Sequence, residues 1–99
     1  SRDFTYIDNV IQANILALTI TNKECFGTAF NIGAGGQTSI LDMVHTINIE
    51  LKTNVQPILG PNRPGDIPHS HADITKARRL LGYEPEIAFN EGMKKLIIL

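Results

Sequence analysis

An arginine and an aspartate three positions apart, Arg63 and Asp66, bracket Pro64 and Gly65 in a segment (PNRPGDIP) that holds three of the chain's five prolines. Each proline fixes its own φ and restricts the residue before it, so the segment reads as an extended, stiff loop. Such a loop holds a planar guanidinium, able to chelate phosphate oxygens, close to a carboxylate, able to accept from paired sugar hydroxyls. That is the chemistry of a grip on a nucleoside diphosphate. The same spacing suits a plain surface ion pair, and these four residues alone leave both readings open.

Other residues invite chemistry with less support. Gly33-Ala34-Gly35-Gly36 lies between a strand-like run and a helix-like one, where backbone N–H groups can cradle a phosphate. Its spacing is G-x-G-G rather than G-x-G-x-x-G, and no acidic residue closes a following strand about twenty residues on, so a structural turn is the expectation. His69 and His71 would share one face of a strand and could bind a metal, but no third ligand is visible in the sequence and no metal site is expected. His45 sits beside Met43 and Val44 within a helix pattern, which suits a core-edge or surface histidine. Cys25 has no local His or Asn signature and reads as a small, partly buried side chain. The Arg78-Arg79 and Lys94-Lys95 pairs read as solvated helix faces near helix ends.

The elements that must position these groups alternate between strand-like and helix-like. Residues 1–7 (SRDFTYI) form a short β-type run, and Asp8 is placed to cap a helix over residues 9–22 with Ile11, Ile15 and Leu18 as its buried stripe. Residues 28–32 (TAFNI) read as a strand entering the glycine turn. Ser39 and Asp42 have the spacing of a capping box, and the helix they open shows Ile40, Met43, Val44, Ile47 and Leu51 on its apolar face. Residues 55–59 are β-like, and residues 69–72 suggest a further short strand. Asp73 caps a helix through Leu81, with Ile74, Ala77 and Leu81 inward and Gly82 as the left-handed residue that ends it. Asn90 is placed to cap a last helix over residues 91–99, whose apolar end needs cover. The alternation implies an α/β arrangement without internal repeats.

Length and composition bound the rest. Ninety-nine residues supply one modest core and not the two lobes and cleft of a whole enzyme. With 42% hydrophobic and 19% charged residues the chain should fold rather than stay disordered. A net charge of -1 gives no field to attract nucleic acid or an anionic membrane. A single cysteine suits a reducing cytoplasm, and no apolar run reaches the eighteen or so residues of a membrane span.

Four segments occur in one order: R-D-F-T-Y-I-D at residues 2–8, F-N-I-G at 30–33, R-P-G-D at 63–66, and A-D-I-T-K-A followed by L-L-G-Y at 72–83. Together they resemble the carboxyl-terminal, substrate-binding part of an extended short-chain dehydrogenase/reductase, the NAD-dependent nucleotide-sugar epimerase/dehydratase family, and most of all its UDP-glucose and UDP-N-acetylglucosamine 4-epimerase branch. The resemblance covers essentially the whole chain. It implies a small mixed α/β lobe at residues 1–99, lacking the Rossmann domain that binds NAD. It implies that Arg2 and Arg63 contact the nucleotide diphosphate, that Asp66 holds the ribose hydroxyls, and that Ser70 lies beside the sugar's C2 substituent. A side chain as small as Ser70 leaves room for an N-acetyl group.

The family's glycine-rich fingerprint and Tyr-x-x-x-Lys pair are absent here: Val10 stands four after Tyr6, and Ile87 four after Tyr83. The resemblance therefore implies that hydride removal by NAD, with a tyrosine as base, belongs to an amino-terminal domain outside this chain, which alone would be inactive. A related dehydratase or decarboxylase lobe, or a non-catalytic binding module, remains open. A lobe parted from its partner domain is also expected to self-associate through uncovered apolar faces.

Overall fold

The computed structural model describes residues 1–98. Four helices run in the order α1 (Ile7–Thr19), α2 (Ile40–Leu51), α3 (Thr75–Leu81) and α4 (Phe89–Ile97), with a single 3₁₀ turn at Lys23–Cys25. Extended segments join them in a slab of 50 × 34 × 16 Å. Among the described residues no β-strand forms. The expected α/β sheet is reduced to two isolated pairings of Arg2, antiparallel with Thr38 and parallel with Ser70.

The runs read as strands make no ladders, and in each some group is engaged elsewhere. Ile7 is taken into α1. Val55 donates to and accepts from the side-chain amide of Asn48, at 3.1 and 2.9 Å, and Ile58 three residues on is 99% exposed. In residues 28–32 the Ala29 carbonyl accepts from Lys76 Nζ, while Phe30 and Ile32 lean on the core through their side chains. Extended backbone and β-favouring residues are present, but pairing partners are not.

The core is small: Ala13, Cys25, Ile74, Ala77, Leu81 and Tyr83 cluster, flanked by Leu16, Ile20, Phe30, Ile32, Ala72 and Leu80. It lies between α1 and α3. The expected inward residues Ile74, Ala77 and Leu81 are buried, and Gly82 ends α3 at φ 69°. The expected cap is corrected: α3 starts at Thr75 with Ile74 at its N-cap and no side-chain cap, and the Asp73 carboxylate, one residue earlier, accepts from Thr75 N–H at 2.9 Å. α2 opens with the expected capping box, Ser39 Oγ accepting from Asp42 N–H and the Asp42 carboxylate from Ser39 N–H. Its ends differ from expectation, since Ile40 and Leu51 are more than half exposed. α4 begins at Phe89, before the expected Asn90 cap, and Phe4 meets Phe89 at 5.9 Å between ring centres. Leu99 lies outside the described residues.

α1 corrects the sequence reading in both start and face. It begins at Ile7 with no side-chain cap, and Asp8 sits inside its first turn. The expected inner stripe is solvent-facing, with Ile11 47%, Ile15 55% and Leu18 85% exposed. Asn9 and Ala13 are buried instead, in line with Leu16 and Ile20 at the same helical period. Asn9 is 1% exposed with both amide atoms bonded: its nitrogen donates to Ile87 C=O at 2.8 Å, and its oxygen accepts from the N–H groups of Glu86 and Ile87 at 3.1 Å each. One turn on, Gln12 donates to Glu84 C=O at 3.0 Å. An otherwise unpartnered stretch of backbone selected the polar face of α1.

A second polar tie holds the amino-terminal strip. The Asp3 carboxylate accepts from the N–H groups of Ala34, Gly35 and Gly36 at 3.1, 3.1 and 3.3 Å. The glycine turn is thus structural, as expected, and its anion is the protein's own. A Cβ on Gly33 would overlap the Asp3 carboxylate. Behind the turn, the wholly buried Tyr83 donates its hydroxyl to Gly33 C=O at 2.6 Å. Burial first, and then the Asp3 charge, push the Tyr83 hydroxyl above its ordinary value, so it remains a donor.

Three outcomes follow for urea unfolding and titration. Asn9→Ala should cost about 2–4 kcal/mol by stranding buried backbone groups, whereas Leu18→Ala should stay within about 0.5 kcal/mol; equal losses would refute the assigned face. Asp3→Asn and Tyr83→Phe should each cost about 1.5–3 kcal/mol, and an unchanged Asp3→Asn transition would show that the turn does not need its anion. Hydrogen bonds from Ser39 hold the Asp42 carboxyl below its ordinary value. The stability this supplies is present above the unfolded-state carboxyl range, near pH 4, and is lost as pH falls through the lower folded value. Ser39→Ala should move the Asp42 NMR titration upward, and a titration that stays put would contradict the box.

Candidate functional site

The site is assembled on the strip fixed by Asp3. Arg2 exchanges both backbone hydrogen bonds with Thr38, each 2.8 Å. On its other side Ser70 N–H donates to Ser1 C=O at 3.0 Å, and Asp3 N–H to Ser70 C=O at 3.2 Å. Paired residues project to the same side of extended backbone, so Arg2 and Ser70 share one face.

The loop carrying Arg63 and Asp66 closes as a reverse turn. Asp66 N–H donates to Arg63 C=O at 3.1 Å, and Gly65 takes φ 78°. Proline second and a positive-φ glycine third are the signature of a type II turn. The turn brings the backbones of Arg63 and Asp66 together. Asp66 Oδ1 then accepts from the Arg2 guanidinium at 3.3 Å, a half-exposed pair, and the other arm of Arg2 donates to Ser1 C=O at 2.9 Å. Exposure and length make this contact worth little to stability, which leaves the guanidinium open to exchange.

Arg2, Arg63 and Asp66 line one hollow of about 430 Å³ together with Ser1, Ile40, Ile67 and Pro68. Two cations can meet a diphosphate, one carboxylate can accept from a diol, and the aliphatic walls can take the face of a ring. Ile40 is the first residue of α2, put there by the Ser39 cap. The sequence reading missed Ile40 and Ile67 because nothing local marks an exposed isoleucine as a wall. It also missed Asp3, whose partners lie more than thirty residues away.

Ser70 does not line that hollow. It lies in an adjoining one of about 310 Å³ with Arg2, Asp3, Asn31, Ile32, His71 and Ala72, and Arg2 is common to both. Among the described residues no three His, Cys, Asp or Glu side chains gather as a metal site. Cys25 is buried with its thiol toward Leu80 C=O at 3.3 Å, as its sequence context suggested. No described helix is long and apolar enough to cross a membrane.

Comparison with known proteins converges on one group. The family described as GDP-mannose 4,6 dehydratase matches residues 1–96. Among curated relatives, UDP-glucuronate 4-epimerase 4 of Arabidopsis thaliana is 31% identical over 98% of this chain and 25% of its own length. A putative UDP-glucose 4-epimerase of Methanocaldococcus jannaschii is 34% identical over 98% of this chain and 30% of its own. The crystal structure of UDP-glucose 4-epimerase with UDP-glucose from Thermotoga maritima superposes with a TM-score of 0.81 at 34% identity, covering 93% of this chain and 28% of that one. The chain thus spans between a quarter and a third of the length of these relatives. With motif order, family match and fold in agreement, the chain belongs to the nucleotide-sugar epimerase/dehydratase family of extended short-chain dehydrogenases/reductases.

Proposed function

We propose that residues 1–99 are the nucleotide-sugar-binding lobe of a UDP-hexose or UDP-N-acetylhexosamine 4-epimerase, an NAD-dependent isomerase of carbohydrate metabolism working in the cytoplasm. The observation that carries this reading is the meeting of Arg2, Arg63 and Asp66, from positions more than sixty residues apart, around one hollow with aliphatic walls. In this reading the two guanidinium groups take the diphosphate, Asp66 accepts from the ribose hydroxyls, and Ile40 and Ile67 flank the nucleoside. Diphosphate binding draws Arg2 away from Asp66 and frees that carboxylate for the diol.

The sugar then runs past Arg2 toward Ser70, whose pairing with Arg2 places a small hydroxymethyl side chain on the same face. Room at Ser70 favours a substituent as large as N-acetyl at C2. The lobe binds and orients; it contributes no group to bond-making. NAD and the catalytic tyrosine belong to a further domain of the same protein, and this chain alone has no turnover. The family description naming a dehydratase supports a second reading, in which the same grip serves a nucleotide-sugar dehydratase.

The surface of the chain supports a lobe made to be covered. Its accessible area is 7346 Å², against about 5,600 Å² for a compact monomer of its 10.9 kDa. The excess, about 1,800 Å², is roughly twice the 800 Å² or so that one partner contributes to a standard-size interface. Part of it is the exposed stripe of Ile7, Ile11, Ile15 and Leu18 on α1. A dinucleotide-binding domain is the proposed cover, with self-association of the isolated chain in its absence.

Titration with UDP-N-acetylglucosamine and UDP-glucose, followed by NMR, tests the grip. Saturable shifts at residues 63–70 are expected, with Arg63→Ala and Asp66→Ala each weakening binding at least about tenfold, as loss of a charge-assisted hydrogen bond implies. Binding unchanged in both folded variants would overturn the assignment. Ser70→Tyr should weaken the acetylated sugar more than UDP-glucose, and equal effects would remove the argument for a hexosamine.

A further inference from the structure

The His69/His71 pair lies outside the nucleotide grip. On the extended segment 69–71 the two histidines, two positions apart, project to one side and Ser70 to the other. That side is shared with Ser1. The Ser1 hydroxyl oxygen lies 2.8 Å from His69 Nδ1 and 2.7 Å from His71 Nε2, with the ring centres 6.1 Å apart. The sequence supplies two candidate ligands and no third; the fold brings a third donor atom from the other end of the chain to their common focus.

The backbone builds this convergence. Hydrogen bonds from Ser70 N–H to Ser1 C=O and from Asp3 N–H to Ser70 C=O hold the two segments in register. Asp3 is in turn locked on the 34–36 turn. The Ser1 amino group lies 3.4 Å from the same His69 Nδ1, so four polar atoms, the two ring nitrogens and the Ser1 hydroxyl and amino groups, converge at this point.

We propose that His69 Nδ1, His71 Nε2 and Ser1 Oγ form a site for a borderline divalent cation of the Cu²⁺, Ni²⁺ or Zn²⁺ class, its remaining positions filled by water. Imidazole nitrogen selects these ions over Mg²⁺ or Ca²⁺, which demand several carboxylate or carbonyl oxygens. The Asp3 carboxylate is committed to the turn, accepting from the N–H groups of Ala34, Gly35 and Gly36. Both histidines are exposed, so small side-chain rotations can bring their nitrogens to the 2.0–2.1 Å or so that zinc–imidazole bonds require. The bound ion staples residue 1 to residues 69–71. Nucleotide binding is not needed for it.

Calorimetric titration of the folded chain with Cu²⁺, Ni²⁺, Zn²⁺ and Mg²⁺ at neutral pH tests the site. One saturable equivalent is expected for at least one of the first three ions, and none for Mg²⁺. His69→Ala and His71→Ala should each weaken binding at least about tenfold, as loss of a ligand demands, and Ser1→Ala by a smaller factor. His45→Ala and Cys25→Ser should bind as the parent does. Circular dichroism of every variant separates lost binding from lost folding. Absence of saturable binding, binding that survives His71→Ala, or binding lost in Cys25→Ser would each overturn the proposal.

Discussion

The carboxylate of Asp3, held by three consecutive backbone N–H groups, is the contact on which the site depends. It joins the amino-terminal strip to the 33–36 turn across thirty residues of sequence. Tyr83 fixes that turn from behind, through Gly33 C=O and from inside the core. Gly33 must lack a side chain because the carboxylate occupies the space a Cβ would take. Charge-assisted hydrogen bonds to oriented amides are about twice as strong as neutral ones, so a single anion can organise a strip that has almost no sheet to stabilise it.

Everything in the candidate site is reached from that strip within a few residues. Asp3 fixes Arg2; Arg2 pairs with Thr38; Thr38 precedes the Ser39 cap, and the cap places Ile40 at the wall of the hollow. On the other edge, Ser70 pairs with Arg2 and ends the stiff loop whose turn presents Arg63 and Asp66. Two chemistries then meet at the amino-terminal strip: Arg2 lines both the proposed nucleotide hollow and the adjoining one that holds Ser70, while the Ser1 hydroxyl meets His69 and His71.

How much of this was legible depends on whether the deciding partner was local. The Ser39/Asp42 box, the Gly82 stop, the inward face of α3 and the closeness of Arg63 and Asp66 all rest on partners within a turn or two. Each was readable from spacing. The face of α1 was not, because hydrophobicity favours Ile11, Ile15 and Leu18, and only the backbone of residues 84–87 explains why Asn9 and Gln12 turn inward. Strand propensity in residues 55–59 likewise gave no hint that the Asn48 amide would claim Val55. Asp3 carried no signal beyond its place next to Arg2.

The slab is 16 Å across its shortest axis. α1 packs on α3 through one face only, and it has two stripes capable of burial. The polar stripe wins inside because its amides answer backbone groups that would otherwise stay buried and unpaired, a cost of about 1–3 kcal/mol each. The apolar stripe is left on the outer face, where another surface can cover it. Exposed isoleucines on α1 are therefore a consequence of satisfying residues 84–87 in a thin layer. The same thinness leaves the hollow around Arg2, Arg63 and Asp66 open at a rim shaped by one turn, one cap and two backbone pairings. Its geometry then rests on local hydrogen bonds and the Asp3 anchor more than on the depth of the core.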